Sequence, residues 1–340
     1  MCASKTTQLA INDKGTRLSE FLKKQSIQYF LIGVIVCGVL LVVFNPSVGL
    51  VQQGSDFAVH FMLAYLVGGL FFLILNQRNL MLACFIACVV LCLFLKDSSN
   101  SAFLFPQINR GASIRVAHVD LSAAGNNYDV FMKSILNQNA DVISFQEVDP
   151  NWNAVFDFYL TNLYPHSNLN IRIDPFGMAV FSKKPIIRSD TLFFEDYPTL
   201  LTTVFVDNQK SITIMSSYTM PGLDNNFKAN NRRYLAGLAQ EILKSRTPVI
   251  SIGKFNMAYW NNDLKVFANR TDMEHSRRDA VAAGLTTPYD HIYYTNELEC
   301  TSFYEILDSE RNHQGIIGNY QFKILEQNSP QKKTPTVDRF

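Results

Sequence analysis

The chain has 340 residues, 48% of them hydrophobic and 17% charged, with a formal charge of +1. Seven of its 30 Lys and Arg and three of its 29 Asp and Glu precede residue 97, so the remainder holds 23 basic against 26 acidic residues. That part lacks the basic excess of a duplex-binding surface, so nucleic acid is not favoured as a partner. It also contains one cysteine, Cys300, which excludes an intradomain disulfide.

Residues 1–28 form a polar tail with Arg17, Lys23 and Lys24 near its end. A membrane region follows over residues 29–95, with three apolar helices expected at about 29–50, 57–75 and 80–95. The second reads most clearly, as its 19 residues from Phe57 to Leu75 include only His60 as a strongly polar side chain. For His60 a helix-to-helix hydrogen bond is favoured over a functional ionisable role. Cys84, Cys88 and Cys92 read as small residues at a helix contact rather than a metal site. The basic tail and Arg78 flank the helices on one side, so the positive-inside rule places both in the cytoplasm and everything after Lys96 outside.

Residues 96–111 make a polar linker, residues 112–326 a single α/β domain and residues 327–340 a polar tail. Within the domain, β runs are expected at Ile114–Val119, Val142–Phe145, Phe176–Phe181, Leu200–Val206, Ile212–Met215, His291–Thr295 and Asn319–Ile324. Asp207 and Asn208 would supply one turn. Helices are expected over Asp129–Gln138, Trp152–Leu163 and Asn226–Ser245. The stretch Pro248–Trp260, PVISIGKFNMAYW, is the focus: an apolar run that stops at Gly253 and delivers Lys254, Phe255 and Asn256 at a strand end. Strand ends are where α/β proteins place chemistry.

Seven segments, in order, resemble those of the endonuclease/exonuclease/phosphatase superfamily. RVAHVDLSAAGNNYD is similar to its first strand, with Asp120 where the family has asparagine. ADVISFQEVDPNW places Glu147 at the metal-binding glutamate. FGMAVFSKKPI follows, and SSYTMPG offers Tyr218. GKFN has Asn256 in register but Lys254 in place of the catalytic aspartate. YDHIYYT supplies Asp290, and SERNHQGIIGNYQF keeps His313 with Asn312 replacing the aspartate that orients it. The resemblance implies a two-sheet α/β sandwich of the DNase I-like kind, preceded here by about three transmembrane helices. It implies a phosphoesterase chemistry with Mg2+ or Mn2+ held by Glu147 and Asp120, and with His313, Asn256, Asp290 and Tyr218 around the phosphate. The membrane-anchored arrangement resembles a bacterial subgroup, which implies an inner membrane with the domain on the periplasmic side.

The departures bear directly on that chemistry. An ammonium in place of a carboxylate adds two positive charges where a divalent cation belongs. Asn312 removes a negative charge and Asp120 returns one. An asparagine behind His313 is also expected to leave its imidazolium unsupported. One reading is an impaired enzyme that binds a phosphate-bearing small molecule or lipid, with Lys254 paired to Glu147 and Asp290 as a built-in cation. The alternative is a working hydrolase of lipid, nucleotide or nucleic-acid phosphoesters, with its metal shifted toward Glu147 and Asp290. A third reading, a protein-interaction module, needs Tyr259 and Trp260 exposed, with Phe303 and Tyr304 as further surface.

Overall fold

The computed structural model describes residues 20–44, 56–109, 111–125, 127–207, 209–222, 224–279 and 286–324. Most of the polar tails, the last turns expected for the first membrane helix and Asn208 of the expected turn lie outside the described residues. Three helices come first: α1 (Gln25–Phe44), α2 (Ala58–Ile74) and α3 (Arg78–Ser98). The helices α1 and α3, with 20 and 21 residues, are long and apolar enough to cross a membrane, whereas α2 has 17 and is shorter. The second helix, expected to be the clearest, forms close to its expected bounds but is shorter than the other two. Polar residues lengthen the other two, Gln25 and Gln28 in α1 and Arg78, Lys96 and Asp97 in α3, while Phe57 and Leu75 fall outside α2 as its caps. Phe30, Phe44, Val67, Ile74 and Leu93 stand exposed, apolar surface of the kind that marks membrane contact. The small-residue contact holds at Cys84, which is buried, and not at Cys92, which is exposed.

The rest is a sandwich of two six-stranded mixed sheets. The first runs β11 (Leu298–Leu307), β12 (His313–Phe322), β1 (Ser113–Asp120), β2 (Val142–Gln146), β4 (Met178–Ser182) and β3 (His166–Asn170). The second runs β5 (Ile186–Phe194), β6 (Tyr197–Asp207), β7 (Lys210–Tyr218), β8 (Val249–Lys254), β10 (Asp290–Thr295) and β9 (Met273–His275). Helices α4 (Tyr128–Leu136) and α5 (Trp152–Tyr159) cover the first sheet, and α6 (Asn225–Lys244) and α7 (Asn262–Thr271) cover the second.

Side-chain alternation along the strands builds both the core and the site. Ile114 and Val116, Val142, Ile212 and Ile214, Ile250 and Ile252, and Ile292 and Tyr294 meet between the sheets. Their neighbours of opposite parity, such as Ala117, Val119 and Ile143, pack on Phe131, Met132, Ile135 and Trp152 of the helices. Continuing the inner parity to the strand ends leads to His118 and Asp120, Gln146, Tyr218, Lys254 and Asp290.

Topology gathers those ends. β1 runs parallel to β2 and β7 parallel to β8, so their carboxyl ends lie together, while β12 and β10 run antiparallel to β1 and β8 and bring their amino ends to the same side. The domain is tied to the helices at this end. Ala258, Tyr259 and Trp260 pack with Val42, Val59, Met62, Leu91 and Leu95. Beyond α3, buried Asn100 donates from Nδ2 to His275 O at 3.0 Å, and Lys96 Nζ donates to Arg278 O at 3.2 Å.

Candidate active site

Two ion clusters occupy the gathered strand ends. In the first, Lys254 Nζ donates to Asp120 Oδ2 at 2.6 Å and to Glu147 Oε1 at 3.0 Å. Burial works against the ammonium, but Asp120 and Glu147 outweigh it and hold the Lys254 pKa well above the ordinary lysine value. Asp120 also accepts from Ser122 N and Oγ, which fixes its carboxylate at the start of a 3₁₀ turn. Glu147 reaches Lys254 from a left-handed backbone, φ 63°, one residue beyond the inner-facing end of β2. Such a conformation in a residue other than glycine is uncommon and recurs at functional sites.

In the second cluster His313 Nε2 lies 2.7 Å from Asp290 Oδ2, with Nδ1 3.9 Å from Glu305 Oε2. On the other side of Asp290, buried His118 places Nε2 3.6 Å from Oδ1, and Arg277 Nη2 donates to Glu305 at 2.6 Å. Burial opposes a charged imidazole, but Asp290 and Glu305 outweigh it and push His313 up to about 9. Burial by itself would raise the Asp290 carboxyl; His118 and His313 hold it well below the usual carboxylate range. Beneath both clusters the sheets are bridged by polar groups, Ser144 Oγ against Ser216 Oγ at 2.6 Å and Gln146 Nε2 to Ser216 Oγ at 3.2 Å.

Two further residues lie at or just beyond the ends of β7 and β8. Asn256, with φ 48°, donates from Nδ2 to Thr219 O, so part of its amide is spent on holding the loop. Tyr218, paired in register with Lys254, is buried; burial and then Glu147 raise its phenol, which stays neutral.

The family model of the Endonuclease/Exonuclease/phosphatase family matches residues 116–311. The chain belongs to this family. The endonuclease/exonuclease/phosphatase of Beutenbergia cavernae is similar in structure at 12% identity, with a TM-score of 0.52 over 62% of this chain and 72% of that one. TDP2 of D. rerio, complexed with single strand DNA product, is similar at 11% identity, with a TM-score of 0.50 over 62% and 99%. The catalytic domain of human Nocturnin with bound sulfate follows at 16% identity, with a TM-score of 0.49 over 64% and 97%. No curated protein matches the chain.

Family members typically depend on divalent metals, and the residues here do not fit one. The carboxylates that the sequence offers for it, Asp120 and Glu147, are bridged by the Lys254 ammonium. Among the described residues no three His, Cys, Asp or Glu side chains form a metal-holding group. Nor does Lys254 pair with Asp290, as the sequence suggested; Asp290 serves His313 and His118 instead.

The structure also corrects the expectation for Asn312. It turns to Asp308, donating from Nδ2 at 2.9 Å, and leaves His313 to Asp290 and Glu305, so the imidazolium keeps carboxylate support without it. Tyr259 and Trp260 are buried, which removes the main support for an interaction surface. His118, Arg277 and Glu305 joined the site unannounced. His118 was legible from its inner parity, two residues before Asp120, whereas Arg277 and Glu305 come together only through the tertiary fold.

Proposed function

We propose that this chain is a membrane-anchored member of the family that has given up metal-dependent phosphoester hydrolysis and binds a phosphate-bearing ligand. The observation that carries this reading is the Lys254 ammonium seated between Asp120 and Glu147. A divalent cation would have to displace a lysine whose charge those same carboxylates stabilise. The helices α1 and α3 support an integral membrane protein. The basic residues before α1 and Arg78 between α2 and α3 support a cytoplasmic tail and an outward domain, in a bacterial inner membrane with the domain in the periplasm.

The protein contributes a fixed ammonium, a protonated His313 and the buried Arg277 guanidinium, arranged for binding an ester phosphate rather than for activating water on a metal. Thermal unfolding of the full chain in detergent with EDTA, Mg2+ or Mn2+ tests this, with Lys254→Asp alongside. The wild type should be unmoved by metal, and the variant should gain stability with it. A metal-stabilised wild type would overturn the proposal.

A second reading, hydrolysis, draws on one observation: His313, held protonated by Asp290, is placed as a general acid for a leaving oxygen. Turnover of a bis-p-nitrophenyl phosphate probe by the wild type, abolished in His313→Ala, would favour it.

A further inference from the structure

The cavity containing Lys254, Asn256, Asp290 and His313 is not lined by the domain alone. It measures about 950 Å3, and Asp56, Phe57 and His60, at the amino end of α2, line it from the helical side. Thr287 Oγ1, on the opposite wall, donates to Asp56 O at 2.9 Å. The packing of Tyr259 and Trp260 on all three helices holds the two halves together. The family cleft therefore lies against the start of an apolar helix, beside exposed Phe57 and Phe61.

The charges in this cavity are nearly balanced. Lys254, Arg277 and His313 face Asp56, Asp120, Asp290 and Glu305. Each of the three bases already has a carboxylate partner, so a free inorganic anion gains little by entering. Donors nevertheless remain. Lys254 spends two of its three N–H groups on Asp120 and Glu147, and the Arg277 side chain lines the cavity beside it. Asp56 lines the same cavity, and burial pushes its carboxyl up to about 6 against the influence of Lys228.

We infer that the cavity receives the headgroup of a zwitterionic phospholipid, its phosphate toward Lys254 and Arg277 and its ammonium toward Asp56. The lipid is presented from the bilayer beside α2. Confinement to the membrane supplies the local concentration that a charge-balanced cavity cannot draw from solution. A ligand with both charges also fits a lining with more carboxylates than bases. This rests on the reading of the site as a binding pocket and names its ligand class.

The test uses the full chain in dodecyl maltoside micelles, with unfolding followed by the fluorescence of Trp152 and Trp260. Phosphatidylethanolamine should raise the midpoint by several degrees. Phosphatidylglycerol should do clearly less, and soluble phosphoethanolamine or inorganic phosphate at equal concentration should leave it unchanged. Asp56→Asn and His60→Ala should erase the difference between the two lipids. Native mass spectrometry of the wild type from an equimolar mixture should show phosphatidylethanolamine retained, a readout that survives if either variant fails to fold. Equal or stronger stabilisation by phosphatidylglycerol, or a lipid preference untouched by Asp56→Asn, overturns the inference. Equal stabilisation by inorganic phosphate overturns it too while leaving the phosphate-binding pocket standing, whereas a metal response would strike at that pocket instead.

Discussion

Lys254 Nζ stands 2.6 Å from Asp120 Oδ2, an ion pair linking β8 of one sheet to β1 of the other. Glu147 completes the bridge at 3.0 Å. One side chain thus neutralises two carboxylates that would otherwise repel each other across the sandwich.

Lys254→Ala should therefore destabilise the protein by about 3 kcal/mol, because it leaves two mostly buried carboxylates without their cation. Mg2+ or Mn2+ should recover part of that loss, which the wild type cannot show. Chemical denaturation with and without metal separates the two effects. A loss unaffected by metal would mean that the carboxylates relax apart rather than form a cation site.

The His313–Asp290 pair predicts an alkaline transition. His313 is pushed up to about 9 from an ordinary value near 6.5, so the folded protein holds this proton more tightly than the unfolded chain. The stabilisation is fully present below about pH 6.5 and is lost as pH rises through about 9. Asp290→Asn should bring the titration back toward the ordinary value and flatten stability over that window. NMR titration of the His313 ring measures the first, and unfolding across pH measures the second.

Buried His275 and His291 predict the opposite trend in acid. Arg277 N–H donates to His275 Nδ1, the two rings meet at 3.1 Å, and His291 Nε2 faces Met257 O at 2.7 Å. The chain of donors fits two neutral rings, with His275 Nε2–H donating to His291 Nδ1. Burial lowers His291 to about 4 and His275 well below its ordinary value. The unfolded state therefore binds more protons between about pH 4 and 6.5, and stability is lost as pH falls through that range. The loss should start at the loop that seats Tyr259 and Trp260 on the helices. Hydrogen exchange at residues 257–260 at pH 5 against pH 7 checks this; unchanged protection would count against the histidine pair as the clasp.

Much of this arrangement was written in side-chain parity. Ile114 and Val116 point to the core, and the same count leads to His118 and Asp120. Ile250 and Ile252 lead in the same way to Lys254. Glu147 escaped that count, because its left-handed backbone turns it back toward the cleft from the first position beyond β2. Strands β3, β5, β9 and β11 were not anticipated. β3 is polar, β5 has its apolar ends split by Arg188, Ser189, Asp190 and Thr191 and is largely exposed, β9 has three residues, and β11 is only intermittently buried, so none carries a long buried apolar run. The part played by Asp56 and His60 was illegible for another reason. They lie 53 to 57 residues before the domain's first strand in sequence, and only the packing of Tyr259 and Trp260 on the helices brings them to the cleft.

Gly253 is where the motif's backbone is least replaceable. It sits at φ 151° in β8, in register with Ser217 of β7, and a Cβ there would fall 1.8 Å from Ser217 O. No rotamer relieves a clash with a carbonyl, so Gly253→Ala must push β8 from β7 or twist Lys254 away from Asp120 and Glu147. A loss of about 4 kcal/mol or more is expected, in the range reserved for core and backbone disruption. Gly125→Ala is the matched control, since its φ of 56° is also unfavourable for alanine but nothing lies within 4 Å of the added carbon. That change should cost only about 1 kcal/mol. Thermal unfolding of the two variants in the same detergent compares the clash with backbone strain alone. Equal losses would mean that β7 and β8 are free to separate at Gly253, and the ion bridge beyond it would not depend on their close approach.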